Sequence, residues 1–195
     1  MRSVFAVFLI LFLGLPAAAT AQTTGGGASD VLPDMPDARI DQLFGELKRA
    51  RSEQAARRIS SRISREWSNS GSASVDLLMQ WSQKAIDEKK TAVALDFLDE
   101  IVTLAPDYAE GWNRRATLHF MMDNYGRSMA DIDRVLRLEP RHFGALAGMA
   151  AILRETGRKD AAIRAYERLL DIYPMMRDAQ TELGRLADEM SGRGI

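Results

Sequence analysis

From Ala38 to Met190 the apolar residues recur every three or four positions, the spacing of helices that bury one face. Ile40, Leu43, Phe44 and Leu47 make one such stripe. Ala55, Ile59, Ile63 and Trp67 make the next, behind Ser52, a residue type suited to a helix N-cap. Further along, the stripes are closed by prolines at 106, 140 and 174, in "TLAP", "RLEP" and "DIYP". Both intervals are 34 residues. A fixed period of this size marks a stacked helical repeat.

The residues between those prolines keep the same register. Trp112 and Leu146 share a slot, as do Ala116 and Ala150. Ala94, Ser128 and Ala162 share another, all small; Leu98, Ile132 and Tyr166 follow four residues later, and Ile101, Val135 and Leu169 three after that. Small residues let two antiparallel helices approach closely, and the larger ones fill the seam. The closing proline stops the second helix and turns the residue before it away from helical geometry.

This combination resembles the tetratricopeptide repeat: a Trp, a small residue four later, a second small residue, an aromatic, then a closing proline. The 143–176 unit carries it most fully, with Gly157 at its turn. The 109–142 unit has Asp123 at the turn and His119 where an aromatic is usual. The 75–108 unit keeps Ala94, Leu98 and Pro106 but lacks the Trp and the turn glycine. The resemblance implies an all-α fold, a right-handed α-solenoid of antiparallel helix pairs with about nine helices in all. Residues 37–74, with Ser72 where the period would put proline, are expected to form a degenerate hairpin ahead of the three repeats. Residues 177–195 are expected to supply a capping helix, with apolar positions Leu183, Leu186, Ala187 and Met190, and a short tail.

The chain begins differently. "MRSVFAVFLILFLGLPAAATA" has one basic residue, an apolar run from Val4 to Leu15, then small residues ending in A-x-A. That order predicts a secretory signal cleaved after Ala21. The run falls short of the ~20 apolar residues that span a bilayer. Residues 22–36, rich in Gly, Pro and Asp, are expected to be a flexible lead. The predicted location is therefore exported, in the periplasm. The stretch from Asp107 to Leu146 also resembles exported repeat proteins of Gram-negative bacteria.

Composition narrows the function. The chain has no cysteine, which removes disulfides, thiol metal sites and cysteine nucleophiles. Taking Arg2 of the signal from 26 basic residues leaves 25 against 27 acidic. That balance argues against a nucleic-acid partner. No G-x-x-x-x-G-K, G-x-S-x-G or H-E-x-x-H occurs, so no enzyme, metal or cofactor is expected. His142 falls at a joint between repeats, with a hydrogen bond to a helix end or plain exposure as its expected state. The arginines in 48–65 are interleaved with serine and flanked by Glu53 and Glu66, which reads as a solvated face; membrane-surface contact through them is the less favoured alternative.

Two expectations concern side chains. Arg115 stands where leucine is commonest, facing the partner helix, and a buried guanidinium needs a carboxylate. Asp131 is at the level where the hairpin returns, so an Arg115–Asp131 bridge is expected, a structural role shared with Trp112, Pro106, Pro140 and Pro174. The resemblance also implies a concave groove lined by positions two, five, nine, twelve and thirteen of each repeat. These are Asp76, Met79, Gln83, Ile86 and Asp87 in the first repeat, then Glu110, Asn113, Thr117, Phe120 and Met121. Gly144, Ala147, Ala151, Arg154 and Glu155 complete the set. The chaperone-tail clamp of the family has Lys and Asn at the fifth and ninth positions. Asn113 and Thr117 stand there here, so that clamp is missing. The expected partner is a protein or peptide segment with an apolar strip and some basic character. Two alternatives stay open at this point: a self-associating structural element using an open end at 37–74 or 177–190, and occupation of the groove by another part of the same chain.

Overall fold

The computed structural model describes residues 36–192. The expected signal and most of the expected lead lie outside the described residues. Nine helices occur among the described residues: α1 (Pro36–Arg49), α2 (Glu53–Trp67), α3 (Ala73–Asp87), α4 (Thr91–Leu104), α5 (Ala109–Met121), α6 (Tyr125–Leu138), α7 (Phe143–Glu155), α8 (Lys159–Ile172) and α9 (Arg177–Met190). The pairs α3–α4, α5–α6 and α7–α8 are hairpins, and each packs on the next through α4–α5, α6–α7 and finally α8–α9.

The three proline corners are built alike. Ala105, Glu139 and Tyr173 precede the prolines with φ of −133°, −135° and −127°, the extended region that a following proline imposes. Each donates its N–H four residues back, to Ile101, Val135 and Leu169. Each carbonyl then accepts from three residues on, at Tyr108, His142 and Met176. The proline carbonyls are also used repeatedly. Pro106 O accepts from Trp112 Nε1 at 2.9 Å and from Arg134 at 3.1 Å. Pro140 O accepts from Arg168 at 2.9 Å, and Pro174 O from Gln180 at 2.6 Å. Arg134 and Arg168 are one period apart, and Trp112 and Gln180 two.

The inner turns repeat as well. Lys89, Asp123 and Gly157 stand one period apart with φ of 59°, 58° and 72°, the left-handed cap that ends a helix and favours glycine. The small slot of Ala94, Ser128 and Ala162 is buried throughout. Ser128 satisfies its hydroxyl on the carbonyl of Ala116 at 2.8 Å. Gly111 allows α4 and α5 to close up, since a Cβ there would lie 2.7 Å from Ile101 Cγ2. At the far end α9 lays Ala179 and Leu186 on the α7–α8 core, with Leu183 beside them. Ala187 and Met190 are exposed, so the cap is narrower than its sequence stripe.

The N-terminal hairpin departs from the expected stack. α1 and α2 pair with each other, but α2 does not pack along α3. Their buried residues Leu43, Phe44, Leu47, Ala56 and Ile63 instead close on Tyr173, with Ile172, Phe143 and Met176 alongside. Ala56, not Ala55, is the buried alanine of the second stripe. α2 thus runs along the edge where the proline corners emerge. Glu53 pairs with Arg177 at 3.3 Å, and Ser60 donates to the Tyr173 hydroxyl at 3.3 Å. Trp67 stacks on His142 with centroids 4.1 Å apart, and the carbonyl of Ser68 accepts from Tyr108 Oη at 3.0 Å. Fifteen helical residues reach roughly 22 Å, about two inter-helix spacings. The hairpin is therefore a brace across three corners rather than a fourth repeat. Its open end, expected from the sequence, is closed by this packing.

Candidate functional site

On α5 the spacing i, i+4, i+7 brings Asn113, Thr117 and Phe120 onto one stripe. The facing stretch of α7 has Gly144 and Gly148, where the helix carries no side chain. Between them is a dent of about 100 Å³, floored by Ala116, Ser128, Ile132 and Ala145. Both glycines keep it open: a Cβ at Gly148 would lie 3.3 Å from Ile132 Cδ1, and one at Gly144 3.3 Å from His142 Cε1. Phe120 is held against Tyr125, ring centroids 5.6 Å apart. Thr117 turns its hydroxyl back to the carbonyl of Asn113 at 2.9 Å. What is offered outward is a small apolar dent with an amide at one end. That suits one short apolar side chain and a hydrogen bond to the chain that bears it.

A polar chain backs this wall. Glu110 accepts from Asn113 Nδ2 at 2.9 Å and from Arg114 Nε at 3.0 Å, and Arg114 also bonds Gln83. His142 Nδ1 accepts the N–H of Ala145 at 3.1 Å, capping α7. Its Nε2 must then carry the hydrogen, and it faces Glu110 Oε2 at 3.3 Å. Burial opposes ionisation of Glu110, but His142 and Arg114 outweigh it and hold the carboxyl below its ordinary range. His142 thus makes the expected hydrogen bond to a helix end, and it is buried rather than exposed.

The other groove positions are occupied within the chain. Asp76 accepts from Ser70 Oγ at 2.6 Å, fixing the α2–α3 link. Met79 packs on the core of α3–α4, and Ala147 on that of α7–α8. Gln83 holds Asp87 at 2.8 Å as well as Arg114. Ala151 is half-buried, and Arg154 is bridged to Glu155 at 2.6 Å and Glu182 at 2.8 Å. Met121 remains largely exposed. Sequence reasoning passed over Gly148, although a glycine inside a helix with no turn to make is a signal of close approach or open space.

Arg115 lies away from the dent. It meets Asp131 through two parallel bonds of 2.8 and 2.7 Å, with Asp99 at 2.9 Å and the Trp112 ring 4.8 Å from its guanidinium carbon. The Arg115 and Asp131 side chains are 18 % and 6 % exposed, so the pair replaces the usual leucine packing with a satisfied charge. His119 sits beside it with Nδ1 buried and without a hydrogen-bond partner, and burial lowers its basicity. In the brace, Arg57 pairs with Glu53 and Arg62 with Glu46, which partly neutralises the arginine run. No cluster of His, Asp and Glu able to hold a metal occurs among the described residues.

Helix hairpins stacked in 34-residue register, with a dent left open between the first helices α5 and α7, define an α-solenoid of the kind that holds other polypeptides. The description of the tetratricopeptide repeat matches residues 144–174. A TPR repeat-containing protein of Rhizobium etli is 56 % identical over 157 residues, spanning 80 % of this chain and 77 % of that protein. The chain belongs to the tetratricopeptide-repeat family, whose repeats are protein-interaction modules. Its fold is similar to the first TPR of Spaghetti (RPAP3) bound to an HSP90 peptide, with TM-score 0.57 and 19 % identity over 60 % of this chain and 93 % of that one. It is also similar to the second TPR domain of human RPAP3 in complex with an HSP70 peptide, with TM-score 0.53 and 18 % identity over 56 % and 92 % of the two chains.

Proposed function

We propose that this protein is a non-catalytic adaptor of the cell envelope that holds a short segment of a partner protein in its concave groove. The observation that carries the reading is the dent between Asn113, Thr117 and Phe120 on one side and the bare helix at Gly144 and Gly148 on the other. Gly148, in the interior of α7, destabilises the helix by roughly 1 kcal/mol relative to alanine, while Gly144 lies in its first turn; keeping a small pocket open is a reason for a glycine at 148. The two RPAP3 structures were solved with chaperone peptides. This groove has Asn113 and Thr117 at the positions of the family's Lys–Asn clamp, so its guest differs from an acidic chaperone tail. An apolar strip with basic flanks fits the exposed acids Asp87 and Glu155 at its margin.

Export to the periplasm follows from the first 21 residues, whose charge, apolar run and A-x-A site are those of a signal. The test combines both parts. A photo-crosslinking residue at Thr117 in intact cells should capture an envelope protein, and the same probe at Arg164 on α8 should not. The recovered chain should begin at Gln22. Equal capture from both positions, or an intact N-terminus, contradicts the respective half of the proposal.

A further inference from the structure

The first repeat presents a face that the later repeats bury. Position three of each unit is Leu77, Gly111, Ala145 and, in the cap, Ala179; the last three are buried against the preceding hairpin, while Leu77 is 42 % exposed. Position ten is Leu118 and Ile152 in the second and third repeats, both buried, but Lys84 in the first. Position twenty-three is buried at Asp131 and Ala165, and Phe97 stands there in the first repeat. Trp81 lies over Phe97 with centroids 5.8 Å apart and is 46 % exposed, and Val93 is 42 % exposed. Leu77, Trp81, Val93 and Phe97 form one apolar strip, two residues from each helix at i, i+4.

Three occupants of this strip can be compared. The brace of α1 and α2 would be the natural one, but its own apolar residues Leu43, Leu47, Ala56 and Ile63 are already buried at the corners. The opposite end of another copy would present the outer side of α9. That side is polar, with Thr181 and Asp188 exposed and Arg185 bridged to Glu182 and Glu189. A head-to-tail stack would therefore set apolar residues against ions. The remaining match is the strip with itself. Its margin carries Lys84 on α3, 74 % exposed, and the exposed acid Glu100 on α4. Lys84 is toward the inner turn and Glu100 toward the proline corner, so a two-fold axis crossing the helices, which lays α3 antiparallel over the α3 of a second copy and α4 over its α4, brings each lysine to the level of the other copy's acid. Such an isologous contact is self-complementary and closed.

We propose that the α3–α4 face is a homodimer interface, centred on Trp81 and related by a two-fold axis. The slots are those a solenoid covers, and Leu77 in place of Gly or Ala shapes them for a looser partner than the next repeat. The inference is independent of the groove reading, because none of Leu77, Trp81, Val93 and Phe97 lines the dent on α5 and α7.

The full chain, expressed with a C-terminal tag and purified as processed, should sediment with twice the chain mass in the upper part of a concentration series. Trp81→Glu should weaken association about 30-fold or more, the loss given by a central aromatic anchor, with an unchanged melting temperature at dilution. Lys84→Glu should also weaken it, and Lys84→Glu with Glu100→Lys should restore it. Because the chain has no cysteine, Gln80→Cys should form a disulfide dimer on mild oxidation and Thr181→Cys should not. A monomer at every concentration, a dimer indifferent to Trp81→Glu and Lys84→Glu, or linkage through position 181 overturns the proposal. If Trp81→Glu fails to fold, the charge reversal and the cysteine pair carry the test.

Discussion

Replacing Trp67 with alanine tests whether the N-terminal hairpin is a brace. The indole stacks on His142 at 4.1 Å and 12°, and lies 4.8 Å from Phe143 and 5.9 Å from Phe44. It therefore ties the end of α2 to the second proline corner and to the cap of α7. Burying most of an aromatic side chain contributes about 2 kcal/mol, and aromatic pairs add roughly 0.5–1.5 kcal/mol each. The remaining polar ties are weak. Asp41–Arg141 and Glu53–Arg177 are largely exposed, and such pairs contribute about 0–1 kcal/mol. We expect a loss near 3 kcal/mol, read as a lower urea midpoint. Hydrogen exchange should locate it: amides of α1 and α2 should exchange about 100-fold faster, while those of α5 to α8 keep their rates. Trp67→Phe should recover most of the loss, and it removes an indole N–H that is buried without a partner. A change below about 1 kcal/mol, or one spread evenly over all helices, would refute the brace.

Other substitutions probe the repeats. Asp131→Ala leaves Arg115 half-buried with only Asp99, and should destabilise by about 3 kcal/mol in denaturant melts; Arg115→Leu with Asp131→Ala should be near neutral, and simple additivity would contradict this. Lys89→Gly relieves a non-glycine residue at φ 59° and should raise stability by about 1 kcal/mol, checked by the melting temperature. His119 has its basicity lowered by burial, so the unfolded chain binds its proton first as pH falls below about 6.5. Stability from this group is present above that pH and is lost on acidification. His119→Phe should flatten the pH dependence of the urea midpoint in that window and remove the unpartnered Nδ1; an unchanged slope would assign it to other groups.

The sequence revealed what repeats and left dark what does not. Proline spacing gave the corners, because each corner needs the same local bonds. Arg115 and Asp131 were legible because a guanidinium in a leucine slot must find a carboxylate within its own hairpin. The path of α1 and α2 was hidden for the opposite reason. Their apolar stripes say that a face is buried, but the partner is fixed by Trp67 meeting His142, 75 positions away and outside any period. The same contact buries His142, whose bond to a helix end was among the states expected of a joint residue. In the groove, position rules found Asn113, Thr117 and Phe120. They also named Asp76 and Met79, which the link at Ser70 and the first core take up, and they gave no weight to Gly148.

The groove itself can be tested by one substitution with opposite effects on stability and binding. Gly148→Ala adds a methyl at the floor of the dent, 3.3 Å from the movable end of Ile132, while gaining up to about 1 kcal/mol of helix propensity. The measurement is the Kd of this variant for the segment captured at Thr117, alongside its melting temperature. The account predicts binding weaker by about tenfold with a melting temperature equal or higher. Undiminished affinity in a variant that is equally or more stable would contradict it and move the binding surface away from the concave stripe.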